Sequence, residues 1–552
     1  PVITSNGGGA NGAVSVAENQ TAVTTVTSTD VDGGSAVYSI VPVGSGGAAD
    51  AARFTMNPTI GVLTFTTAPD FENPTDADLD NVYNVTVQVS DGNGGTDTQT
   101  ISVTVTDISG ALVVTTTTDN ADSGIVSGNA THTAEWLNAN RGADNAISLR
   151  EAVIAANNTS GNDTIILGAG TYTLTIAGTG DDSSTTGDLD IQTNITILGA
   201  GMSSTIISGG GIDRPIEVDG SGNLTLSDVR LTGGSINNDG GALLIEEAGG
   251  AATLTRVDIT GNTITGGGRF GGGIHNVGTL IMDSSLVHGN TATGSDGGGI
   301  ENIGSATITR SSIFNNTARY GGGIHQSSGT MTVENTTLSG NTASLEGGGV
   351  DVAGGAVTLR YSTIAGNTSS NGPGGGANLF SGTLTILSSI FADNSSTTGG
   401  RDLRGAVSSS GFNIIEHNTG FSGTVGTDQL GSDPLLAALA LDASSGQYVH
   451  RLNTGSIAIN TAGGTVPSTD QRGVLRTGAP DVGAFEVTSA PTITNLAGDS
   501  LAYNEGDGAV VIEQGGNATV ADVDSTDFNT GTLTASFTAG SDSAEDVLSI
   551  RN

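Results

Sequence analysis

Short apolar segments recur along the middle of the chain about every 25 residues, and each repeat is marked by an Asn. Apolar residues stand eight and three positions before the Asn, as Leu254 and Ile259 do before Asn262. The same pair recurs in three later repeats, as Ile308 and Ile313, Val333 and Leu338, and Leu359 and Ile364. Two short strands therefore precede each Asn, and a third follows a glycine cluster later in the repeat.

The glycine cluster recurs with the same period. "GGGIHN" at 271–276 returns as "GGGIEN" at 297–302, "GGGIHQ" at 321–326, "GGGVDV" at 347–352 and, more loosely, "GGGANL" at 374–379. The marker residues are Asn262, Asn290, Asn316, Asn341, Asn367 and Asn394, at intervals of 28, 26, 25, 26 and 27. Gly allows close backbone approach, and Asn tolerates the left-handed region and forms stacked amide ladders. We therefore predict a solenoid in which these Asn lie close to one line.

The fold class follows from this period. About three short strands per repeat, with no heptad pattern, predict an all-β, right-handed parallel β-helix over residues 161–425 with coils of about 25 residues. Leucine-rich repeats have a similar period, but their Leu-x-x-Leu-x-Leu pattern is missing. At a strand spacing of about 4.8 Å, nine or ten coils would form a rod on the order of 45 Å long.

One segment, "ISLREAVIAANN" at 147–158, breaks the β pattern. Ser148 and Glu151 form the signature of a capping box, and Leu149 and Val153 lie on one apolar face. The segment directly precedes the first coil strand, "DTIILGAGTYTLT". Because the end of a β-helix exposes unpaired strand edges, we predict that this helix caps the first coil.

Composition and charge restrict the possible partners. The 552 residues include 88 Gly, 16 Arg with no Lys, and 55 acidic residues, which give a formal net charge of −39. Phosphate backbones would be repelled, so we predict no nucleic-acid partner and expect divalent cations as the counter-charge. The chain has no Cys, which excludes disulfides and thiolate metal sites. No apolar run approaches the roughly 20 residues of a membrane span.

The coil region resembles a known class of proteins. The run "SLREAVIAANN" with "DTIILGAGTYTLT", the repeated coils, and "TDQRGVLRTGAPDVGAFE" at 469–486 resemble bacterial surface proteins with right-handed β-helix repeats, related to polymorphic outer-membrane and adhesin passengers. The resemblance covers roughly 112–488. It implies a linker and capping helix at 108–160, the β-helix at 161–425, and its C-terminal end at 426–488. Since the class includes many adhesins and structural proteins, it specifies fold more than function.

Residues 1–107 have a different sequence pattern, in which apolar and polar residues alternate along predicted strands such as "VYNVTVQVSD" and "TISVTVTD". Between them, "VAENQ", "STDVDGG", "PDFENP", "VSDGNGG" and a terminal "VTD" occur in the order that cadherin-type repeats use for calcium. This resemblance implies one β-sandwich of about 100 residues. It implies calcium ligands at the lower end, Glu18, Asp70, Glu72 and Asp107, and at the upper end, Asp30, Asp32 and Asp91.

The cadherin linker, Asp-x-Asn-Asp-Asn, is reduced here to "TDISG". The lower site is therefore short of the six to eight oxygen ligands that calcium takes. An alternative is that these Asp and Glu only solvate loops. Calcium is the one cofactor that the resemblance implies.

Residues 489–552 resemble the beginning of another calcium-associated sandwich repeat, with Glu505, Asp522, Asp524 and Asp527 as candidate ligands. A sandwich of seven strands takes about 100 residues, whereas this segment supplies four or five strands. We therefore expect that the segment continues in a parent protein or is completed by a strand from a neighbouring molecule. Completion between copies would be head-to-tail and would generate filaments.

A possible active site follows from the residue after each coil's Ile or Val. This column contains His275, Glu301, His325, Asp351 and Asn378. Side chains alternate along a strand, so the column points out of the helix if Ile274 points inward. Parallel β-helices also resemble pectate lyases and polygalacturonases, and Glu301 and Asp351 would lie about 9.6 Å apart, near the carboxyl separation of inverting glycosidases.

Two other interpretations of the column remain open. In the first, the column is only a structural ladder, since alternating signs avoid stacking like charges. Stacked His and carboxylates would also suit a transition metal. The absence of Lys and of clustered Asp-Asp or Arg motifs on adjacent coils counts against an enzyme, and we predict no catalytic residues.

Two hypotheses from different classes result. The first is a non-enzymatic, extracellular segment of a large bacterial surface protein, stiffened by calcium, that binds a polysaccharide or protein receptor or assembles into filaments. The second is a polysaccharide-binding or polysaccharide-degrading β-helix that uses the column. A groove of exposed aromatic residues would favour the second.

Overall fold

The computed structural model describes residues 1–18, 20–30, 36–69, 71, 74–106, 111–178, 180, 182–476 and 478–488. It also describes the backbone of two antiparallel strands, Thr492–Thr494 and Thr519–Ala521. The chain divides into two compact units, of which the first contains Pro1–Ala111 and the second begins at Leu112. The candidate ligands Glu505, Asp522, Asp524 and Asp527 lie outside the described residues.

The first unit is a β-sandwich, as the alternating pattern predicted. One sheet has the strand order Asn11–Ala17, Thr96–Thr106, Val82–Ser90 and Val37–Ile40; its first pair is parallel and the others are antiparallel. The facing sheet is antiparallel and contains Ala22–Thr25, Val62–Phe65 and Phe54–Met56, while Val2–Ile3 pairs with Ser28–Thr29. Two 3-10 turns span Val43–Ser45 and Ala51–Arg53. The rings of Phe54, Phe65 and Tyr83 pack in the core with centroids 4.6 to 6.5 Å apart.

Within its described residues, the second unit stacks short strands into three sheets along a parallel β-helix. Sheet 1 has 20 strands: Ala111–Val114, Asn162–Leu167, Gly170–Thr173, Asn194–Leu198, Thr205–Ser208, Asn223–Thr232, Ala251–Thr260, Thr279–Asp283, Leu286–His288, Ser305–Thr309, Ser312–Phe314, Thr330–Glu334, Thr337–Ser339, Ala356–Arg360, Thr363–Ala365, Thr383–Leu387, Ile390–Ala392, Ser408–Ser409, Ile414–Ile415 and Gln429–Leu430. Sheet 2 has ten: Leu189–Ile191, Ile216–Val218, Leu243–Ile245, Ile274–Asn276, Ile300–Asn302, Ile324–Gln326, Val350–Val352, Ala377–Leu379, Leu403–Ala406 and Phe421–Ser422. Sheet 3 has seven: Ser235–Ile236, Thr263–Ile264, Thr291–Ala292, Thr317–Ala318, Thr342–Ala343, Thr368–Ser369 and Ser395–Ser396. The predicted all-β solenoid is confirmed.

Equivalent apolar side chains stack from coil to coil. In sheet 2, Ile274 pairs with Ile300, which pairs with Ile324 and then Val350, and all four are fully buried. The interior is one continuous apolar cluster that extends from the first strand of sheet 1 to its last coils. The recurrence of Ile and Val in the sequence is therefore the recurrence of one position in the core.

Sheet 1 contributes two strand segments to each coil because the chain bends between them. At the bend, one position is left-handed in seven successive coils, with φ between 43° and 58°: Asp228, Arg256, Ser284, Arg310, Asn335, Tyr361 and Ser388. This conformation is uncommon for a residue with a Cβ. Parallel pairing on both sides of the bend, as of Met282 with Ile308 and of Leu286 with Ser312, holds it in place. In the central repeats, each coil thus has four strand segments, whereas the sequence predicted three.

The six marker Asn lie in one line, as predicted. Each Nδ2 donates to the Oδ1 of the next Asn at 2.9 to 3.0 Å, from Asn262 to Asn394. The same Oδ1 accepts the backbone N–H of the Asn in the preceding coil at 2.9 to 3.1 Å. Beyond the last Asn, the amide of Asn394 donates at 2.9 Å to Oδ1 of the buried Asp402. The ladder thus satisfies buried polar groups at one turn of every coil.

The glycine triplets lie where successive coils come closest. The first Gly of each triplet has φ between 58° and 73°: Gly271, Gly297, Gly321, Gly347 and Gly374. At the third position, a Cβ on Gly299 would lie 2.6 Å from the carbonyl oxygen of Gly323 and 3.1 Å from Nδ2 of Asn316. Glycine is required here because the next coil and the Asn ladder already fill the space.

The first coil is covered by the predicted helix and by a second, shorter helix that the sequence analysis missed. They span Leu149–Asn158 and Ala134–Ala139, and Ser148 and Glu151 form the predicted capping box. Their apolar side chains, including those of Leu137 and Val153, join the main core. Neither of these helices has the length and apolarity needed to cross a membrane, and the described residues contain no other candidate span.

Arg150 ties the capping helix to the first coils. It is fully buried, and its Nε and Nη2 donate to the carboxylate of Asp119 at 2.7 and 3.2 Å. Its remaining donors reach the carbonyl oxygens of Ser184 and Gly187 at 2.9 and 2.8 Å. Burial alone would raise the pKa of Asp119, but the hydrogen bond from Arg150 lowers it below its usual value. A buried Arg with its donors paired in this way holds three segments of the chain together.

Residues 431–488 fold back along the outside of sheet 1. Ser312 donates to Gln447 at 2.9 Å, and Thr337 donates to Gln471 at 2.6 Å. The segment includes an antiparallel hairpin of Ala440–Asp442 and Gln447–Val449. A separate apolar cluster lies beneath it, with Ile390, Ala392, Ile414, Val449, Leu452, Ala458, Val482 and Phe485 as its buried members. This segment therefore shields the short strands of sheet 1 from solvent.

We expect Gly299→Ala to lower the stability of the second unit by about 1–3 kcal/mol, because its Cβ would overlap the neighbouring coil. Gly426→Ala is the matched control, since a Cβ there meets nothing within 4 Å, and it should stay within about 0.5 kcal/mol of the original protein. Denaturant unfolding followed by circular dichroism measures both. Equal midpoints for the two variants would contradict the close-approach explanation.

We expect the loss of the Arg150 side chain to lower the stability of the second unit more than Gly299→Ala does. Arg150→Met leaves the buried Asp119 without its cation, and we expect a loss of about 3–5 kcal/mol. Arg141→Met, at a partly exposed position where Nε donates to the carbonyl of Asn138 at 3.2 Å, is the control and should change stability little. The measurement is the unfolding midpoint in urea. A loss for Arg150→Met no larger than that of the control would show that the clamp is dispensable.

Candidate functional site

Two of the three predicted upper-end calcium ligands, Asp30 and Asp91, lie within the described residues, and both are near Pro1. Oδ2 of Asp30 lies 3.2 Å from the amino nitrogen of Pro1, and Oδ1 of Asp91 accepts the backbone N–H of Gly95 at 2.9 Å. A Cβ on Gly95 would lie 2.8 Å from Cδ of Pro1 and 2.2 Å from Oδ2 of Asp91. Asp30 and Asp91 therefore both lie close to Pro1, at one end of the sandwich. Asp32 lies outside the described residues.

Of the four predicted lower-end ligands, Glu18 is the one that lies within the described residues. It is 2% exposed, and its Oε2 accepts the backbone N–H of Phe71 at 3.0 Å. Phe71 stands between Asp70 and Glu72, so Glu18 lies next to the segment that carries them. Asp70, Glu72 and Asp107 themselves lie outside the described residues. The assignment of these residues to calcium stays a prediction.

The candidate catalytic column lies in sheet 2, one residue after the buried Ile or Val of each coil. Its members are buried, with exposures of 4% for His275, 0% for Glu301, 6% for His325, 3% for Asp351 and 0% for Asn378. Turns cover them: the Phe270 ring lies 5.7 Å from that of His275, and the Tyr320 ring 6.3 Å from that of His325. Side chains predicted to point out of the helix are therefore screened from solvent.

Glu301, His325, Asp351 and Asn378 form one hydrogen-bonded ladder. Nδ1 of His325 lies 2.6 Å from Oε2 of Glu301, and its Nε2 lies 3.2 Å from Oδ2 of Asp351. Nδ2 of Asn378 donates to Oδ1 of Asp351 at 2.6 Å, and Ser327 donates to the other oxygen of Glu301 at 2.5 Å. Both imidazole nitrogens face carboxylate oxygens, which suits the protonated imidazolium.

The charges of this ladder alternate. Burial would lower the pKa of His325, but hydrogen bonds to Asp351 and Glu301 raise it to about 10. Burial raises the pKa of Glu301, against the effect of the hydrogen bond from His325. This geometry matches the structural ladder of alternating charges, which was one of the interpretations that the sequence left open. The carboxyl groups that an inverting glycosidase would use on its substrate are instead bonded to the imidazole between them.

His275 stands apart from the ladder. Burial lowers its pKa to about 4, so its imidazole is neutral near pH 7. Nδ1 is buried and has no hydrogen-bond partner in the part of the chain that the structure describes. The aromatic residues of the repeat region that could line a polysaccharide groove are Phe270, Phe314, Tyr320, Tyr361, Phe380 and Phe391. Phe314, Tyr361 and Phe391 are buried, whereas Phe380 is 72% exposed. An exposed aromatic groove is thus not formed by these six.

Four groups in the described residues bring three possible metal-ligating atoms within 4.8 Å of one another: Asp402 with Glu416 and His417; Asp76 with Asp78 and Asp80; Asp188 with Asp190 and Glu217; and Glu217 with Asp219 and Glu246. Sequence analysis assigned none of them. The groups that contain Glu217 come together only through coil stacking, which no local spacing reveals. In contrast, the D-x-D-x-D spacing of "TDADLDN" was visible in the sequence.

Two of these groups already have other partners. Arg214 lies 2.9 Å from Oδ2 of Asp188 and also contacts Glu217, so a protein cation occupies the centre of that group. Asp402 accepts the last bond of the Asn ladder, and its Oδ2 lies 3.2 Å from Nδ1 of His417. His417 therefore belongs to a polar cluster at the end of the rod.

Family comparisons agree with both units. Residues 4–104 match the model of a bacterial Ig domain, and residues 203–360 match that of a right-handed beta helix region. The second match supplies the handedness that the sequence predicted. None of the curated proteins matches the chain at a significant level.

Solved structures of low similarity include cadherins and a lyase. Mouse clustered PcdhgC3 EC1-3 is 25% identical at a TM-score of 0.16, with 19% of this chain and 33% of that chain covered. Drosophila N-cadherin EC1-3 is 18% identical at 0.15, with 18% and 31% covered. Pectate lyase Pel9A is 17% identical at 0.32, with 67% and 96% covered. This chain spans about one third of the two cadherin chains, and likenesses at such TM-scores support no conclusion about ligand or activity.

The ladder predicts a specific pH dependence. The pKa of His325 is about 10 in the folded protein and about 6.5 in an unfolded chain, so its stabilisation is complete below about pH 6.5 and is lost as pH rises toward 10. We expect the difference in unfolding midpoint between the original protein and His325→Gln to shrink over this range. His132→Gln, at a partly exposed site, is the control. A difference for His325→Gln that stays constant from pH 6 to 10 would contradict the imidazolium ladder.

Proposed function

We propose that this chain is an extracellular structural or adhesive segment of a large bacterial surface protein. The protein is a right-handed β-helix protein with an N-terminal Ig-like domain. Its location outside the cell and its mechanical role are the proposed additions. The family matches support the location, and the use of polar residues in the rod supports the mechanical role.

The observation that carries the proposal is the ladder in which His325 lies between Glu301 and Asp351. These were the side chains best suited to acid–base chemistry, and their hydrogen-bonding groups are engaged with one another. A second ladder runs from Asn262 to Asp402. Fully paired polar networks make a core rigid and unique in structure. This use of polar groups supports a stiff spacer or display element more than a catalyst.

Calcium is the proposed partner of the first unit. Its ligands would come from the two predicted sets, Asp30, Asp32 and Asp91 at one end and Glu18, Asp70, Glu72 and Asp107 at the other. Bound calcium replaces repulsion among carboxylates with coordination, and so fixes the ends of the sandwich. A formal charge of −39 makes the whole chain attractive to divalent cations.

The proposed macromolecular partner is a polysaccharide or protein receptor at a cell surface or in a matrix. A solenoid offers an extended surface for such contacts. Head-to-tail assembly of copies into filaments is the self-association that we include in the proposal. Nucleic acid is not included, because the charge of the chain opposes it.

Surface labelling tests the location and role. Antibodies against the purified chain should label intact producing cells, and external protease should remove the label. Electron microscopy of the purified chain should show stiff rods or filaments in calcium that become more flexible after chelation. Labelling only after permeabilisation would refute the proposal. Release of reducing or unsaturated sugars from polysaccharides, lost in Glu301→Gln, would instead establish the degrading alternative.

The calcium assignment makes a separate thermal prediction. At calcium concentrations of 100 times Kd, binding to the folded state alone contributes about 2.7 kcal/mol, so calcium should raise the melting temperature of the first unit. We expect Asp70→Ala and Asp91→Asn each to reduce this shift. Glu247→Gln, an exposed carboxylate of the second unit, is the control. Calorimetry with no calcium-dependent shift in the original protein, and none in the Asp70→Ala variant, would contradict the assignment.

A further inference from the structure

We propose that the loop of residues 75–81 in the first unit, directly before the strand Val82–Ser90, is a calcium site in its own right, formed by the carboxylates of Asp76, Asp78 and Asp80. It shares no residue with the two predicted calcium sets. Its existence therefore does not depend on the function proposed above, and the experiment below separates the two.

The three carboxylates converge on one centre. Each contributes an oxygen, and these oxygens lie within 4.8 Å of one another. Leu79 and Asn81, on either side of Asp80, adopt left-handed conformations, with φ of 61° and 64°. Ligands at alternate positions are also how an EF-hand loop supplies its first oxygens, although no helices flank this loop.

Asp76 supplies the observation that points to a ligand. It is only 3% exposed, and one of its oxygens, Oδ2, accepts the backbone N–H of Asp80 at 2.9 Å. Its other oxygen, Oδ1, is buried without a hydrogen-bond partner among the described residues. Oδ1 of Asn81, at the end of the same loop, is also buried and unpartnered within the described part of the chain. Buried acceptors of this kind are costly unless a donor or a cation satisfies them.

The loop is held in place before any ion binds. Asp50 accepts the backbone N–H of Ala77 at 2.7 Å and that of Asn84 at 2.8 Å, so one buried carboxylate fixes both ends. The hydroxyl of Tyr83 accepts the N–H of Thr75 at 2.9 Å. Asp78 and Leu79, between these anchors, are exposed, so an ion has access from solvent. A pre-ordered loop loses less entropy when it binds a ligand.

The charges of the loop are unbalanced without a cation. No Arg pairs with these three carboxylates among the described ion pairs. The three carboxylates, whose oxygens lie within 4.8 Å of one another, repel each other when all are ionised. A divalent cation would turn this repulsion into coordination.

Calcium fits this donor set better than a transition metal does. All candidate ligands are oxygens, and the chain has no Cys. The three carboxylates provide at least three oxygens, and water and backbone carbonyls would complete the six to eight that calcium takes. An irregular loop suits the flexible geometry of calcium more than the strict octahedron of magnesium. Extracellular calcium modules of this kind have dissociation constants on the order of 10⁻⁴ to 10⁻³ M.

Terbium luminescence tests the site directly on the whole chain. Tb³⁺ replaces calcium at oxygen sites and emits when a nearby tyrosine absorbs light, and Tyr83 contacts Thr75 beside Asp76. We expect tyrosine-sensitised emission that calcium competes away, and a loss of at least tenfold in Tb³⁺ and calcium affinity for Asp78→Asn. Asp78 is exposed, so this substitution should leave the fold intact. Tyr83→Phe should reduce the emission of bound Tb³⁺ even where calorimetry shows that binding persists.

Two variants serve as controls. Leu79→Gly keeps all three carboxylates and relieves a left-handed Leu that is 65% exposed, so it should bind at least as tightly as the original protein. Asp91→Asn alters the predicted upper set and should keep the Tyr83-sensitised signal. Equal affinities for Asp78→Asn and the original protein would overturn the site. So would an emission that Tyr83→Phe leaves unchanged, or a Leu79→Gly variant that binds as poorly as Asp78→Asn.

Discussion

The close approach of successive coils at the glycine triplets is the constraint on which the rest of the second unit depends. A Cβ on Gly299 would lie 2.6 Å from the next coil's backbone, so only glycine allows this spacing. The same spacing lets the amide of Asn316 bond to Asn341 at 3.0 Å and to the backbone N–H of Asn290 at 3.0 Å. Glycine and asparagine therefore recur together because each coil needs both a narrow gap and a polar group that closes it.

Stacking at a fixed spacing also determines what polar side chains can do. Residues at one position of a coil become neighbours of their equivalents, so a column of acids alone would be unstable. In sheet 2, the imidazole of His325 lies between the carboxylates of Glu301 and Asp351, so that the charges alternate along the column. Ladders of this kind have ends, and the Asn ladder ends on a carboxylate, that of Asp402. At the other end of the β-helix, the guanidinium of Arg150 fixes the helix that covers the first coil. At the two ends of the β-helix, where the repeat stops, charged residues that do not recur, Asp402 and Arg150, therefore supply the hydrogen bonds.

Sequence periodicity predicted the solenoid, the line of Asn and the capping box, because these depend on spacing along the chain. It did not predict the left-handed bend at Tyr361 or Arg310, since pairing between coils, and not the residue type, holds that conformation. It oriented the column outward but missed its burial, because spacing along the chain does not show that the rings of Phe270 and Tyr320 lie against the column. The pairing of Arg150 with Asp119, 31 residues away, leaves no local signal either.

The two units differ in how many protein cations are available to their acidic residues. In the rod, several acidic side chains are paired with Arg or His on neighbouring coils, as Asp258 is with Arg230 and Asp296 with Arg319. Residues 1–111 contain a single Arg, Arg53, and twelve acidic residues, so protein cations cannot pair with most of them. One loop there brings the carboxylates of Asp76, Asp78 and Asp80 together, and Asp76 is the most buried of the three. In the acidic group of Asp188, Asp190 and Glu217, by contrast, Arg214 supplies the counter-charge, so the protein itself relieves the repulsion among close carboxylates.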